Sequence, residues 1–144
     1  MSTAEKKIVV PIDGSDPALH ALRVALKRAR ESGARIHLIN VQLPVNLGSA
    51  RAFLPKEAIE QYHAEESALA LKSARELLSS EGVPFEAVTR TGHPADEIAA
   101  YASATNDDEI IMGSRGMGLM GNLVMGSVAA KVVHAAQVPV TLVK

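Results

Sequence analysis

The 144-residue sequence contains no cysteine and no tryptophan, and it has only two phenylalanines and two tyrosines. Without cysteine there is no disulfide, no thiolate zinc site and no cysteine nucleophile, which is typical of a protein made in a reducing compartment. We therefore expect a cytoplasmic protein. Because aromatic residues are scarce, the core must be aliphatic, and such a core suits buried parallel β-strands.

Positive charge in excess and long apolar segments are also missing. The formal net charge is −1, whereas nucleic-acid-binding domains usually combine a basic excess with aromatic platforms. We interpret the densest basic group, Lys27, Arg28, Arg30 and Arg35, as a solvated helix face. The apolar run at 8–12 is too short for a signal-peptide core or a membrane span. The sequence thus predicts neither a nucleic-acid partner nor a membrane partner.

Five predicted strands alternate with segments of helical spacing, which predicts one α/β domain over residues 1–144. The expected architecture is a five-stranded parallel sheet with helices on both faces, a Rossmann-like fold. Asp16 is expected to cap the first helix, which Gly33 ends. The predicted strands are 7–12, 35–41, 85–91, 109–112 and 138–143, and the later helices are 55–80, 94–101 and 127–136, the last with Val128, Val132, Val133 and Ala136 on one face.

Ligands of such sheets bind at the carboxyl ends of the strands, where the winding direction reverses. If the first strand lies beside the fourth, the loops at 13–15 and 113–116 face each other across one crevice. The connection at 42–54 is longer than most inside a compact domain, and we expect it to be the mobile part.

Five glycines, at 113, 116, 118, 121 and 126, occupy the segment between the fourth strand and a helix starting at Ser127. Glycine lets the backbone approach a ligand closely with its N–H groups turned inward, and a helix N-terminus adds further donors. The pattern favours a phosphate-binding loop, and the alternative is a simple surface turn.

Two familiar motifs in this segment are incomplete. Residues 116–121 match a dinucleotide fingerprint, but Val140 and Thr141 stand about 20 residues on, where an acidic residue belongs. Residues 121–127 resemble a phosphate loop of the Walker type without its lysine, which argues against a fast NTPase.

A third pattern fits better: Gly113, two residues, Gly116, nine residues, then Gly126-Ser127. Together with the segments at 9–15, 110–112 and 139–140, it resembles the universal stress protein family over essentially the whole chain. This glycine spacing is typical of the members that bind ATP. The resemblance implies an adenine nucleotide α-hydrolase-like fold, bound ATP with Mg²⁺, and a homodimer.

The resemblance also implies roles for individual residues. Asp13 is expected near the ribose, the phosphates or the metal ion. The main chain of Val41, at the end of the second strand, is expected to meet the adenine edge, with Pro11 and Met112 lining the base. The positions that match the phosphate and ribose loop are Gly113, Arg115, Gly116, Gly126, Ser127 and Val128.

Some of these residues have ordinary alternatives that the sequence leaves open. Asp13 can serve as a turn or cap residue, Arg115 can lie in solvent, and Ser127 can cap the last helix while also binding phosphate. The five histidines show no metal-ligand spacing and are assigned no role. No nucleophile beside a base and no acid–base pair of carboxylates is identified, so no catalytic residue is predicted.

The predicted final strand, 138–143, is expected at the sheet edge, where it would pair with a second copy in a homodimer. The leading hypothesis is an ATP-binding protein of the stress response that regulates through nucleotide-dependent conformation, with slow or no hydrolysis. One alternative is a weak ATPase or nucleotidyl-transfer enzyme. The other is a partner-binding module that holds AMP or no nucleotide.

Overall fold

The computed structural model describes residues 5–45, 54–115 and 125–144. Gly116 and most of the long connection at 42–54 lie outside these ranges. The predictions made for Gly116 and for the mobility of this connection therefore lie outside the described residues.

The centre of the fold is a five-stranded, all-parallel sheet in the order β3-β2-β1-β4-β5. This confirms the predicted fold class. The last strand is shorter than the predicted 138–143, since Pro139 has no N–H for the ladder, although its carbonyl still accepts the Ile110 N–H at 2.9 Å. The strands are β1 (Lys7–Pro11), β2 (Arg35–Gln42), β3 (Phe85–Thr91), β4 (Glu109–Gly113) and β5 (Val140–Val143).

Helices connect these strands, as the alternating pattern predicted. A short 3₁₀ turn at Ala104–Asn106 precedes β4. None of the helices in the described part of the chain is long and apolar enough to cross a membrane. The α-helices are α1 (Asp16–Ser32), α2 (Lys56–Ser80), α3 (Pro94–Tyr101) and α4 (Ser127–Ala135).

The start of α1 differs from the prediction. Ser15, not Asp16, is the N-cap, and its Oγ accepts the Ala18 N–H at 3.3 Å. Asp16 is already helical, so its negative charge interacts favourably with the positive first turn of the helix but does not cap it. The predicted end is confirmed: Gly33 has φ 78° and donates its N–H to the Ala29 carbonyl.

Aliphatic side chains fill two layers, one on each face of the sheet. Alternation along β1 sends Ile8 and Val10 to the layer of α1 and α2, and Val9 to the layer of α3 and α4. Burying one such side chain contributes about 1.5–3 kcal/mol. The first layer includes Leu22, Leu38, Leu71, Leu78 and Ile111, and the second includes Ile39, Ile98, Ile110, Ala129 and Val132.

Helix α4 buries a narrower face than predicted. Ala129 and Val132 are buried, and Ala136, just past the helix end, packs against the same layer. Val128 and Val133, expected on that face, are 36% and 48% exposed.

Polar networks hold the amino end of the sheet. The buried Asp108 carboxylate accepts the Ser103 N–H at 2.8 Å and pairs with the Lys7 ammonium at 3.3 Å. His37 contacts the Tyr101 hydroxyl through Nδ1 at 2.6 Å and Glu86 through Nε2 at 3.2 Å.

The basic group at 27–35 is not simply solvated. Arg28 bonds Glu109 and Thr141, Arg30 bonds Glu81, and Arg35 lies 3.6 Å from Glu86, so three of its members pair with carboxylates of other elements.

Candidate functional site

The winding direction reverses at β1, which pairs with β2 on one side and with β4 on the other. The loops that follow β1 and β4 therefore leave the sheet side by side, as the crevice hypothesis requires. Between them, at the carboxyl end of the sheet, lies a cavity of about 330 Å³.

The structure brings nine of the ten predicted binding residues to this one cavity, and the tenth, Gly116, lies outside the described residues. Their binding role stays a prediction, since this observation concerns their position alone. The nine are Pro11, Asp13, Val41, Met112, Gly113, Arg115, Gly126, Ser127 and Val128.

Asp13 lies in the turn after β1 and has a structural role as well as a place in the cavity. Its Oδ1 accepts the Ser15 N–H at 2.9 Å and also the Ser15 hydroxyl. Since the same hydroxyl caps α1, Asp13 fixes the path from β1 into the helix. The turn role that the sequence left open is thus present, and the carboxylate also lines the cavity.

Gly113 ends β4 where the chain passes close to the start of α1. A Cβ on Gly113 would lie 3.1 Å from the Pro17 Cβ and 3.0 Å from the Arg115 carbonyl oxygen. The next residue is held by the sheet, because the Ser114 N–H donates to the Val143 carbonyl at 2.9 Å. A side chain at 113 would push this loop away from α1 and open the crevice.

Gly126 closes the base of the glycine-rich segment and begins α4. Its N–H donates to the Ser114 carbonyl at 2.7 Å, and its own carbonyl accepts the Ala130 N–H. Gly126 is therefore the N-cap, and Ser127, which the sequence allowed as a cap, is the first helical residue. The first N–H groups of α4 have no partner within the helix, and they adjoin the cavity at Ser127 and Val128.

The remaining lining residues were not identified from the sequence. Six are apolar and resemble ordinary core positions, so nothing in the sequence marks them. Asn40 did carry a signal, because it is a polar residue inside the nearly continuous apolar run of β2 and is only 3% exposed. The additional lining residues are Ile12, Ala18, Ile39, Asn40, Pro94, Ile98 and Ala129.

Charge in the cavity is sparse. Within the described lining, Asp13 and Arg115 are the charged residues. Residues 5–45, 54–115 and 125–144 contain no group of three potential metal-ligating side chains. The lining combines apolar side chains, among them Ile39, Pro94 and Met112, with the N-terminus of α4, which is an arrangement for binding.

A model of the universal stress protein family matches residues 5–144. The chain belongs to the universal stress protein family. It is 34% identical over 142 residues to universal stress protein MJ0531 of Methanocaldococcus jannaschii, covering 96% of this chain and 82% of that relative. It is 36% identical over 140 residues to a universal stress protein of Thermus aquaticus, covering 96% and 98%.

A family member of known structure also has the same fold. The universal stress protein from Archaeoglobus fulgidus, solved in complex with dAMP, is 28% identical, with a TM-score of 0.70 and coverage of 99% of this chain and 100% of that one.

Proposed function

We propose that this universal stress protein binds ATP in the cavity at the carboxyl end of its sheet and acts as a nucleotide-dependent regulator in the stress response, with slow or no hydrolysis. The observation that carries the proposal is the convergence of nine predicted residues on one cavity whose lining includes apolar side chains and a helix N-terminus. The relative from Archaeoglobus fulgidus that was solved with dAMP supports an adenine nucleotide as the ligand.

The two kinds of lining suit the two parts of a nucleotide. Pro11, Ile39 and Met112 offer flat apolar surface for a base, while the N-terminus of α4 offers N–H donors and partial positive charge for phosphate. Arg115, on the loop that follows β4, adds a positively charged residue to the lining. The nucleotide would lie across the ends of β1 and β4.

Magnesium would enter with the phosphates. Mg²⁺ usually keeps several waters and takes one or two protein carboxylates together with phosphate oxygens. Asp13, the acidic residue of the described lining, fits that requirement, so we assign it as the protein contact of the metal–nucleotide complex. Its Oδ2 remains for this purpose, since the two Ser15 contacts both use Oδ1.

Slow or absent turnover is supported by the scarcity of acid–base groups in the described lining. The enzyme alternative, a weak ATPase or nucleotidyl-transfer protein, predicts turnover above a nuclease-free blank that is lost in Asp13→Ala. The module alternative predicts that AMP competes fully with ATP, or that neither binds. We also propose a cytoplasmic location, on the absence of cysteine.

We further propose a homodimer formed through the edge strand β5. All four β5 residues are partly exposed, and three are apolar. The opposite edge, β3, carries the charged residues Glu86 and Arg90, which protect an edge against pairing. An apolar edge at β5 and a charged edge at β3 favour association through β5.

A charge placed at the start of α4 tests the proposed phosphate site. In Ser127→Asp the helix N-terminus stabilises the new carboxylate, so the fold should be retained. The same carboxylate repels phosphate, so ATP affinity should fall at least roughly tenfold. Ser127→Asn, neutral and of nearly equal size, is the matched control and should stay within about threefold of wild type. Calorimetric titration of MgATP measures both. Equal ATP affinities for the Asp and Asn variants would contradict phosphate binding at α4.

A further inference from the structure

Asn40 is a buried amide in the lining of the nucleotide cavity, and both ends of the amide are bonded. Its Nδ2 donates to the Ile12 carbonyl at 2.8 Å, and its Oδ1 accepts the Gln42 Nε2 at 2.8 Å. The bond to Gln42 orients the amide, so that its donor end faces the turn after β1.

The Ile12 carbonyl lies where the ladder between β1 and β2 stops. The Ile12 N–H still donates to the Ile39 carbonyl at 2.8 Å, one step beyond the last register pair, Pro11 and Ile39. In a continued parallel ladder the next bond would run from the Val41 N–H to the Ile12 carbonyl. The side chain of Asn40 supplies a donor to that carbonyl.

The N–H and C=O groups of Val41 point toward β1, the side on which the Ile12 carbonyl lies. Along a parallel strand, successive residues bond to alternate neighbours. The Gln42 carbonyl accepts the Gly92 N–H, which places Gln42 toward β3. Val41 and Ile39 therefore face β1, and Val41, two residues beyond Ile39, lines the cavity past the end of that strand.

We propose that the Asn40 side chain takes the ladder position of the Val41 N–H at the Ile12 carbonyl and thereby presents the Val41 peptide to the ligand base. Asn40 is then the residue that determines base specificity without contacting the base. This inference rests on the proposed nucleotide-binding function and identifies what selects the base.

The chemistry that this peptide selects is an adenine edge. Val41 offers an N–H donor and a C=O acceptor, and adenine presents a ring-nitrogen acceptor, N1, beside an amino donor. Hypoxanthine has the reverse order at the same atoms, N1–H and a carbonyl oxygen, so one of its groups would face a like group. A site built for one order rejects the other because buried polar groups are left unpaired.

The ratio of ATP to ITP affinity measures this selection. We expect wild type to favour ATP by at least roughly tenfold, and Asn40→Leu to bring the two affinities within about threefold, since the Val41 N–H then bonds to Ile12. Gln42→Leu, which removes the orienting bond, should shift the ratio in the same direction by less. Asn106→Leu, the same change at the amino end of the sheet, should leave it unchanged. A ratio unaltered in Asn40→Leu would overturn the proposal.

Amide hydrogen exchange without ligand separates this proposal from the nucleotide-binding function. By NMR, the Val41 N–H should exchange rapidly in wild type and at least roughly tenfold more slowly in Asn40→Leu and in Asn40→Ala, where it rejoins the ladder. A protected Val41 N–H in ligand-free wild type would overturn the role of Asn40, whatever nucleotide binds. Rapid exchange in wild type with no binding of ATP or ITP would instead refute only the proposed function.

Discussion

Gly113 and Gly126 belong to the same glycine-rich segment, and at Gly113 the structure shows why a side chain is excluded. At 113 a Cβ would press on Pro17 at the start of α1. At 126 the backbone has an ordinary φ of −65°, and Gly126 is the N-cap of α4. Neither position uses the positive φ that a sequence pattern of glycines suggests.

His37 makes stability depend on pH. Burial lowers the pKa of His37, with Lys7 and Arg35 acting in the same direction and Glu86 and Asp108 opposing it. Because the folded pKa lies below the unfolded value of 6.5, the unfolded state takes up the proton first as pH falls. The contribution of neutral His37 to the free energy of unfolding is therefore complete above pH 6.5 and is lost as the pH falls below it.

We expect the free energy of unfolding to decrease between about pH 7.5 and about pH 5, and to decrease less in His37→Gln. At the higher pH this variant should cost about 1 kcal/mol through its altered contact with Tyr101. Urea denaturation at both pH values is the measurement, with the exposed His20→Gln as control. A pH slope in His37→Gln equal to that of wild type would refute the role of His37.

At the scale of elements, the directions of the N–H groups in the edge strands determine how dimerisation is tested. The carbonyls of Pro139 and Val143 accept N–H groups from Ile110 and Ser114. Because successive residues alternate, the backbone N–H groups of Val140 and Leu142 point away from β4, toward the open edge. On β3 the Gly92 N–H donates to the Gln42 carbonyl and so faces β2. By the same alternation the backbone N–H of Thr89 points away from β2, toward the open edge.

Leu142→Pro removes an outward N–H of β5 without removing a bond to β4, so we expect it to convert the proposed dimer to a monomer. Thr89→Pro makes the matched change on the other edge and should leave the dimer intact. Light scattering after size-exclusion chromatography distinguishes the 15.2 kDa chain from twice that mass. A wild type that stays at the chain mass across the micromolar range would contradict dimerisation, and a dimer lost only in Thr89→Pro would move it to β3.

The elements themselves were predictable because the strands are short runs rich in apolar and β-branched residues, and several helices have recognisable start or stop residues. Gly33 ended α1 as expected, since a left-handed residue is needed there. The cap of α1 was misassigned because Ser15 and Asp16 are both good capping residues, and only the hydrogen bond to Ala18 distinguishes them. The buried face of α4 was predicted too wide because a valine in the sequence does not show whether its side chain is buried or exposed.

At the scale of the molecule, the place of the candidate site was predictable on one condition, that β1 lies beside β4, and the observed strand order meets that condition. That order places Asp13 and Gly113 at one crevice although 100 positions separate them in sequence. The apolar lining residues Ile39 and Ile98 could not be predicted, because a base-binding surface and a core surface require the same side chains. The role proposed for Asn40 could not be predicted either, because it depends on a hydrogen bond to a main-chain carbonyl.

The most direct test of nucleotide binding at this cavity is a ¹H–¹⁵N NMR titration of the full chain with MgATP, which reports both binding and its location. We predict saturable shifts of the amides of Val41, Gly113, Gly126 and Ser127, which line the cavity from three elements, with Thr89 on the β3 edge unchanged. Absence of saturable shifts, or shifts confined to amides away from these residues, would contradict the account.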